Sequence, residues 1–408
     1  MTKFLTLDDF DFKGKRVIIR PDFNVPLDPE TKEILDDSRI RAHAETINEL
    51  SEKGAKVVVI AHQGRPKQPD YTESMEKHAK KLEEIIGKPV KYVHDLYGDI
   101  AKKAIKELKQ GEILVLKNVR SFPEERKKKS PEEHAKSELV KELAPLADIF
   151  VLDGFSVAHR SHASVVGFAV VLPSCAGRVM ERELNALNKA LQNPEKPYIA
   201  ILGGAKAEKC IDIIGYLLEN NIADNVLTGG LIGQIFLLAK GVNIGEPNVE
   251  VLKKKGLYEL VPKMQELLKK FGEKIKIPSD VAIEVDGKRE EIDVSELPTK
   301  EPIYDIGRKT VEQYSKFIEK AKTILLSGPL GVYEKNQFIA GTKEICEAIV
   351  RSKAFTLAGG GDTLAALKKL GVYEKFSYVS LAGGAFIEYL TGAKLPGVEV
   401  LEKAALRK

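Results

Sequence analysis

AFTLAGGGDTLAALKKL, residues 354–370, reads as a short strand that runs into three glycines and then opens a helix. The same unit recurs three more times in the second half of the chain. Strand 198–202 runs into Gly203-Gly204, strand 225–228 into Gly229-Gly230, and strand 378–382 into Gly383-Gly384. Their spacing is too irregular for a solenoid repeat. Short apolar strands that alternate with amphipathic helices make parallel sheets. Parallel crossovers share one hand, so the C-terminal ends of these strands fall along one rim of the sheet. Open α/β sheets bind their ligands at that rim.

The first half has the same rhythm without the glycine clusters. Its candidate strands are 16–20, 56–61, 90–93, 113–117 and 149–153, with helical patterns such as 38–53 and 72–86 between them. A chain of 408 residues is too long for one ordinary core, so two domains are expected. Residues 177–193, GRVMERELNALNKALQN, carry apolar residues at helical spacing and stop at Pro194 and Pro197. They are read as the helix that joins a first domain, 1–176, to a second that begins at 194. Segment 267–302 mixes acidic and basic residues around a strand candidate at 277–284, and reads as scaffold plus a variable segment.

Composition narrows the function. Lys and Arg number 64 against 60 Asp and Glu, a net +4, far from the basic excess of a general nucleic-acid binder. Basic groups must then act locally, at a site for a small anion. Cys175, Cys210 and Cys346 are far apart and form no C-x-x-C pair, which fits a reducing compartment and offers no zinc site. The first 15 residues lack the apolar core of a signal peptide. No run approaches the roughly 18 apolar residues of a membrane helix. A cytoplasmic protein without membrane or nucleic-acid partners is expected.

The residues after each strand differ between the halves. In the first half these are Asp22 and Asn24, then His62 and Arg65, then Asn118 and Arg120, then His159, Arg160 and His162, with Arg39 at the start of the first helix. Any one exposed arginine is best read as solvated or paired at the surface. A set of them, each just past a different strand, makes a cradle for a small polyanion, because the guanidinium fork matches phosphate and carboxylate oxygens. His159 and His162 are read as supports rather than contacts. On the second rim, glycines let backbone N–H groups approach phosphate oxygens, and each following helix N-terminus adds positive potential. A lone Gly-Gly usually marks only a turn or a cap. Four on one rim point to a nucleotide, with Asp362 in Gly359-Gly360-Gly361-Asp362-Thr363 placed for Mg²⁺ and Lys206 after Gly203-Gly204-Ala205 at a helix start. Neither a P-loop nor a dinucleotide fingerprint is present.

These motifs carry a resemblance that runs nearly end to end. RPDFNVPLD (20–28), DDSRIRA (36–42), HQGRP (62–66), KNVRSF (117–122) and AHRSHAS (158–164) resemble the substrate domain of phosphoglycerate kinases. LGGAK (202–206), DIGRKT (305–310), SGPLGVYE (327–334), LAGGGDT (357–363) and KLPGVEVL (394–401) resemble their nucleotide domain and tail. The resemblance implies an α/β fold of two doubly wound, Rossmann-like parallel-sheet domains facing each other across a hinged cleft. It implies reversible phosphoryl transfer between 1,3-bisphosphoglycerate and ADP. Asp22, Asn24, Arg39, His62, Arg65, Arg120 and Arg160 would hold 3-phosphoglycerate. Gly229 and Gly230 would help form the adenosine pocket, and Glu334 would contact the ribose. Gly204, Lys209 and Gly360, Gly361, Asp362 and Thr363 would hold the nucleotide phosphates, with Asp362 on Mg²⁺. Arg39 and Lys206 would flank the phosphoryl group in flight. The second domain would run over 194–394, and a tail, 395–408, would pack back on the first. The partners implied are small molecules, 3-phosphoglycerate or 1,3-bisphosphoglycerate with ADP or ATP, and the chain itself would be a monomer or homodimer.

Four departures stand out. The family usually has Lys-Val-x-Asp-Lys after Gly-Gly-Ala, whereas Lys206 and Lys209 lie three apart here. Leu326-Ser327 stands where Trp-Asn is common, Arg308 replaces a frequent proline, and Gly383-Gly384 is one glycine short. Two rival readings remain at this level: a non-catalytic sensor of nucleotide and anion, and a different small-acid kinase. Arg39 and Lys206 weigh against the first, and the named motifs against the second.

Overall fold

Two runs of strands rich in Val, Ile and Leu, the central ones buried on both faces, build two separate sheets. In the computed structural model, which describes residues 3–407, the chain divides into two compact units. The first runs to Asn185 and takes back the chain from Lys394, and the second is Ala186–Ala393.

The first unit is a six-stranded sheet of β1 (Arg16–Arg20), β2 (Lys56–Val59), β3 (Val90–Tyr92), β4 (Ile113–Val115), β5 (Ile149–Leu152) and β6 (Ser174–Ala176), in the order β3-β4-β2-β1-β5-β6. Every pairing is parallel. Val17, Ile18 and Ile19 on the central β1 are all buried, as the continuous apolar runs require. Successive connections leave β1 towards β2 on one side, while β5 continues to β6 on the other. The crevice between β1 and β5 is therefore a topological switch point, the place where such sheets bind ligands. Helix Pro396–Ala405 packs on this unit through buried Val398, Val400 and Leu401. Gly397 N–H donates to the Ala158 carbonyl at 2.8 Å, and Arg407 donates to the carbonyls of Ala169 and Val170.

The second unit has β7 (Tyr198–Leu202), β8 (Asn225–Thr228) and β9 (Ile275–Lys276), a three-stranded antiparallel sheet of β10 (Asp280–Val285), β11 (Lys288–Asp293) and β12 (Ile303–Ile306), and then β13 (Thr323–Ser327), β14 (Phe355–Gly359) and β15 (Tyr378–Ser380). Its main sheet is parallel in the order β15-β14-β13-β7-β8-β9, with the switch point between β13 and β7. The fold class is the α/β pair of parallel sheets expected from the sequence. Strand β13, at the centre of this sheet, goes unread in the sequence because no glycine pair follows it. The 277–284 candidate is β10, which pairs in antiparallel fashion with β11 across Asp286-Gly287 (φ +48° and +75°), a two-residue turn with both central residues left-handed.

A buried histidine makes the first unit sensitive to acid. His78, on helix Glu76–Ile86, faces Gln63 Oε1 through Nε2 at 3.0 Å, while its Nδ1 has no partner. Burial lowers its pKa to about 4. The folded imidazole is thus neutral where the unfolded one, with a pKa near 6.5, is protonated, so this contribution is complete above pH 6.5 and is lost as pH falls towards 4. The drop from pH 7 to 4.5 should cost about 2–3 kcal/mol through this group. Urea unfolding at the two pH values checks it: His78→Gln should shrink the gap, and an unchanged gap would refute it.

Candidate functional site

At the β1–β5 switch point the first unit gathers its arginines. Arg20, the last residue of β1, is buried, with Nε donating to Ser164 Oγ at 2.8 Å, Nη1 to the Pro21 carbonyl at 2.5 Å, and Nη2 facing His62 Nδ1 at 3.1 Å. Arginine has only donors, so His62 Nδ1 accepts and its proton sits on Nε2. Asp22 is buried as well and accepts from Arg39 Nη1 at 2.6 Å, from the Asn24 amide at 3.0 Å and from the Ser156 hydroxyl. Arg39, in the first turn of helix Ser38–Glu52, also donates to the Asn24 carbonyl at 3.2 Å. Asn24 Oδ1 takes the Gly64 amide at 2.7 Å, and Arg120 Nη1 donates to the Gly64 carbonyl. Arg160 Nε lies 3.1 Å from His159 Nε2. Arg65, in the same 62–66 turn, is exposed and makes no ion pair among the described residues.

Electrostatics set this rim apart from a solvated surface. Burial, then the charges of Arg160 and Arg20, lower the Arg120 pKa to about 10, and burial also lowers that of Arg20. Burial and Arg20 keep His62 neutral, and burial with Arg20 and Arg160 lowers His162 to about 3. Burial opposes the ionisation of Asp22, but the Arg39 charge together with the Ser156 hydroxyl and the neighbouring histidines outweighs it and holds the carboxyl far below its usual range. Glu125, buried against Ser164, is the other carboxylate within the cluster, and burial pushes its pKa up. At Arg20 the carboxylates of Glu125 and Asp22 oppose the crowding, whereas at Arg120 the charges of Arg160 and Arg20 weigh more than that of Glu125, an arrangement suited to a multiply charged anion.

The second unit forms its site at the β7–β13 switch point. Gly203 N–H donates to the Ser327 carbonyl at 3.0 Å and Gly204 N–H to the Pro329 carbonyl at 2.8 Å, so the turns after β7 and β13 touch backbone to backbone. Gly328, at φ +91°, has no room for a side chain: a Cβ there would lie 2.2 Å from the Gly203 oxygen. A cavity opens above this contact, lined by Gly203, Gly204, Lys206, Lys209, Gly328, Gly360, Gly361, Asp362 and Thr363 among others. Gly360, at φ +100°, turns the chain into helix Gly361–Lys369, and no side chain caps that helix, so its first amides stay open towards an anion. Thr363 contributes through its backbone, because its hydroxyl donates to the Gly359 carbonyl and accepts from the Gly328 amide, both at 2.8 Å.

Lys206 occupies the cap position of helix Ala207–Glu219, and Lys209 lies in its first turn. Both line the cavity and neither makes an ion pair among the described residues. The residue four after Lys206 is Cys210, buried beneath the cavity with its thiol pushed up to about 12. Next to this cavity, sharing Gly204, Ala205 and Asp362 with it, is a chamber walled by Gly230, Leu231, Ile303, Tyr304, Val332, Tyr333 and Glu334. Gly229 is not in its wall: it is buried, and a Cβ there would lie 2.6 Å from Leu330. A polar cavity beside an apolar, aromatic chamber suits phosphates joined to a flat base.

Several residues of these sites are absent from the sequence reading. Arg20, Gln63, Glu125, Ser156 and Ser164 support the cradle from below, and Gly328 completes the glycine rim beside Ser327, which the sequence marks only as a departure from the family pattern. Only Arg20, the arginine that closes strand 16–20 after Val17, Ile18 and Ile19, gave a signal that could have marked one of them.

Comparison with known proteins places these sites in context. A family model described as phosphoglycerate kinase matches residues 7–393. The phosphoglycerate kinase of Methanobacterium bryantii is 46% identical over 404 residues, covering 99% of this chain and 98% of that protein. That of Methanothermus fervidus is 44% identical over 407 residues, with 100% and 99% covered. The crystal structure of phosphoglycerate kinase from Pyrococcus horikoshii OT3 superposes with a TM-score of 0.88 at 40% identity, covering 99% of this chain and 100% of that one. The enzyme from Coxiella burnetii gives 0.86 at 34% identity over the same shares.

Proposed function

The chain belongs to the phosphoglycerate kinase family, and from that premise we infer that it transfers a phosphoryl group reversibly between 1,3-bisphosphoglycerate and ADP, giving 3-phosphoglycerate and ATP. The observation that carries this reading onto the residues is the arginine cluster of the first unit, where Arg20 and Arg160 bring further positive charge to the largely buried Arg120 beside the Gly64 turn. Arg39, Arg65, Arg120 and Arg160, with Asp22, Asn24 and the Nε2 proton of His62, hold 3-phosphoglycerate there. Asp22 does so chiefly by fixing the Arg39 fork. On the second unit, Lys206, Lys209, Gly204 and the amides of Gly360 and Gly361 hold the nucleotide phosphates, while Gly230 and Glu334 face the nucleoside, with Gly229 behind them.

In the ATP-consuming direction, a carboxylate oxygen of 3-phosphoglycerate bonds to the γ-phosphorus as the bond to the bridging oxygen of ADP breaks. That carboxylate is already ionised at neutral pH, so no general base is needed and no proton moves. What remains is alignment and stabilisation of charge on the equatorial oxygens, the work of Arg39 and Lys206 with helix N-termini. Because the two ligands are held on separate units, transfer calls for a closing motion that brings them together.

Mg²⁺ bound with the nucleotide would neutralise charge on its phosphates. No group of three or more ligating side chains gathers anywhere among the described residues, so a closed all-protein metal cage does not fit. An exposed Asp362 without an ion-pair partner among them, at the edge of the phosphate cavity, does fit an ion held by one carboxylate and substrate oxygens. The buried, unbridged Cys175, Cys210 and Cys346 accord with a reducing cytoplasm, and no helix among the described residues is long and apolar enough to cross a membrane.

The assay is ADP formation from Mg·ATP that depends on 3-phosphoglycerate, with calorimetry of each ligand alone. Wild type should turn over, and Asp362→Asn should weaken Mg·ADP binding while sparing 3-phosphoglycerate. No turnover would overturn the activity; equal losses for both ligands would overturn the role of Asp362.

A further inference from the structure

The hairpin β10–β11 lies outside the chemistry above, yet it grips the loop that walls the apolar chamber. That loop, residues 331–339 between β13 and helix Ala340–Arg351, has no regular structure of its own. Arg289 on β11 reaches it from several directions. Its amide donates to Gln337 Oε1 at 2.9 Å and its Nη1 to the Gln337 carbonyl at 3.2 Å, while Gln337 Nε2 donates back to the Gly287 carbonyl at 3.0 Å. The same Nη1 pairs with Asp305 Oδ2 at 2.7 Å, and Nη2 donates to the Ile306 carbonyl at 2.9 Å. Asp305, on β12, is buried and takes the Gly341 amide at 2.8 Å, which fixes the far end of the loop. Opposite Arg289 across the hairpin, Glu284 holds Lys335 Nζ at 2.7 Å, and that ammonium lies 4.4 Å above the ring of Tyr304, a wall of the chamber.

We propose that Arg289 is a positioning residue for nucleotide binding: it holds loop 331–339 in the shape that presents Val332, Tyr333 and Glu334 to the nucleoside, without touching the nucleotide. The inference rests on the reading of the chamber as the base and ribose site. Two observations separate this role from general support of the fold. No residue of β11 is buried, and the hairpin's core residues, Val281, Ala282 and Ile283, all lie on β10. The guanidinium spreads its donors over the Gln337 carbonyl of the loop, Asp305 and Ile306 of the strand beneath it, and Glu291 two residues along β11, a set of directions that a rigid fork serves better than a point charge. Freeing the loop makes the bound shape only one of several, which lowers apparent affinity in proportion to its population.

The test is steady-state kinetics of Arg289→Ala and of the paired R289M/D305N, which removes the ion pair without stranding a buried carboxylate. Val332→Arg, which fills the chamber, serves as the control for the underlying reading. Both hairpin variants should raise the nucleotide KM about tenfold while kcat and the KM for 3-phosphoglycerate stay within roughly twofold. If Val332→Arg raises the nucleotide KM and the hairpin variants leave it unchanged, the positioning role is wrong and the chamber stands. If Val332→Arg has no effect, the chamber reading itself falls. Losses shared equally between the two substrates, with a lowered thermal midpoint, would make Arg289 a folding residue and overturn the proposal.

Discussion

Arg39→Ala should lower kcat by a factor on the order of 10² to 10³, the cost of one lost contact to charge that develops in the transition state. The sequence places Arg39 on a rim and so predicts little effect on folding. The structure corrects that, because Arg39 Nη1 is 2.6 Å from a carboxylate of Asp22 that is itself buried. Removing the guanidinium leaves Asp22 with the Asn24 amide and the Ser156 hydroxyl alone. Breaking a buried pair is costly, but the Arg39 side chain is 34% exposed, so solvent takes up part of the charge and the loss should be about 1–2 kcal/mol. Arg39→Lys separates the two effects. It keeps a positive charge beside Asp22, so stability should recover, while kcat should remain depressed because an ammonium does not reproduce the fork. Stopped-flow or steady-state turnover beside urea unfolding reads both. Near-normal kcat in Arg39→Ala, at ligand saturation, would remove Arg39 from the chemistry.

The second large effect concerns the lysines of the phosphate cavity. Lys206→Ala should reduce kcat by about 10² or more and change nucleotide affinity little, whereas Lys209→Ala should raise the nucleotide KM about tenfold and leave kcat nearly intact. On a regular helix, positions three and four apart differ by about 100° around the axis, which put Lys209 in doubt on sequence grounds. That angle does not apply here. Lys206 is the cap residue, at φ −91° and ψ 58°, and only Lys209 belongs to the helix proper. Both line the cavity beside the open amides after Gly360, with Lys206 nearer the Gly203-Gly204 turn in the chain. Silence of Lys209→Ala in both parameters would make it a solvated surface residue. Loss of kcat in Lys209→Ala with a mild Lys206→Ala would reverse the two roles.

Much of this protein follows from local sequence. Strands such as Arg16–Arg20 and Tyr198–Leu202 are legible because a strand buried on both faces must be apolar throughout, and the glycines at 203–204 and 359–361 are legible because few other residues make such turns. Parallel pairing and the single hand of crossovers then bring the arginines to one rim and the glycines to another. The Asp286-Gly287 turn was equally readable and marks a hairpin that charge mixing concealed. Tertiary structure alone decided the rest. That β13 lies at the centre of its sheet depends on pairing with β7 and β14, chain segments far from it in sequence. That Asp22 holds Arg39 and Arg20 holds His62 depends on burial, because a charge accepts one partner and one geometry most strictly where water is excluded, and that Arg289 meets the 331–339 loop depends on the hairpin's place beside it. Which residue types line each rim is a local property of the chain. Which of them are held rigid, and by what, is set by contacts that no spacing along the sequence encodes.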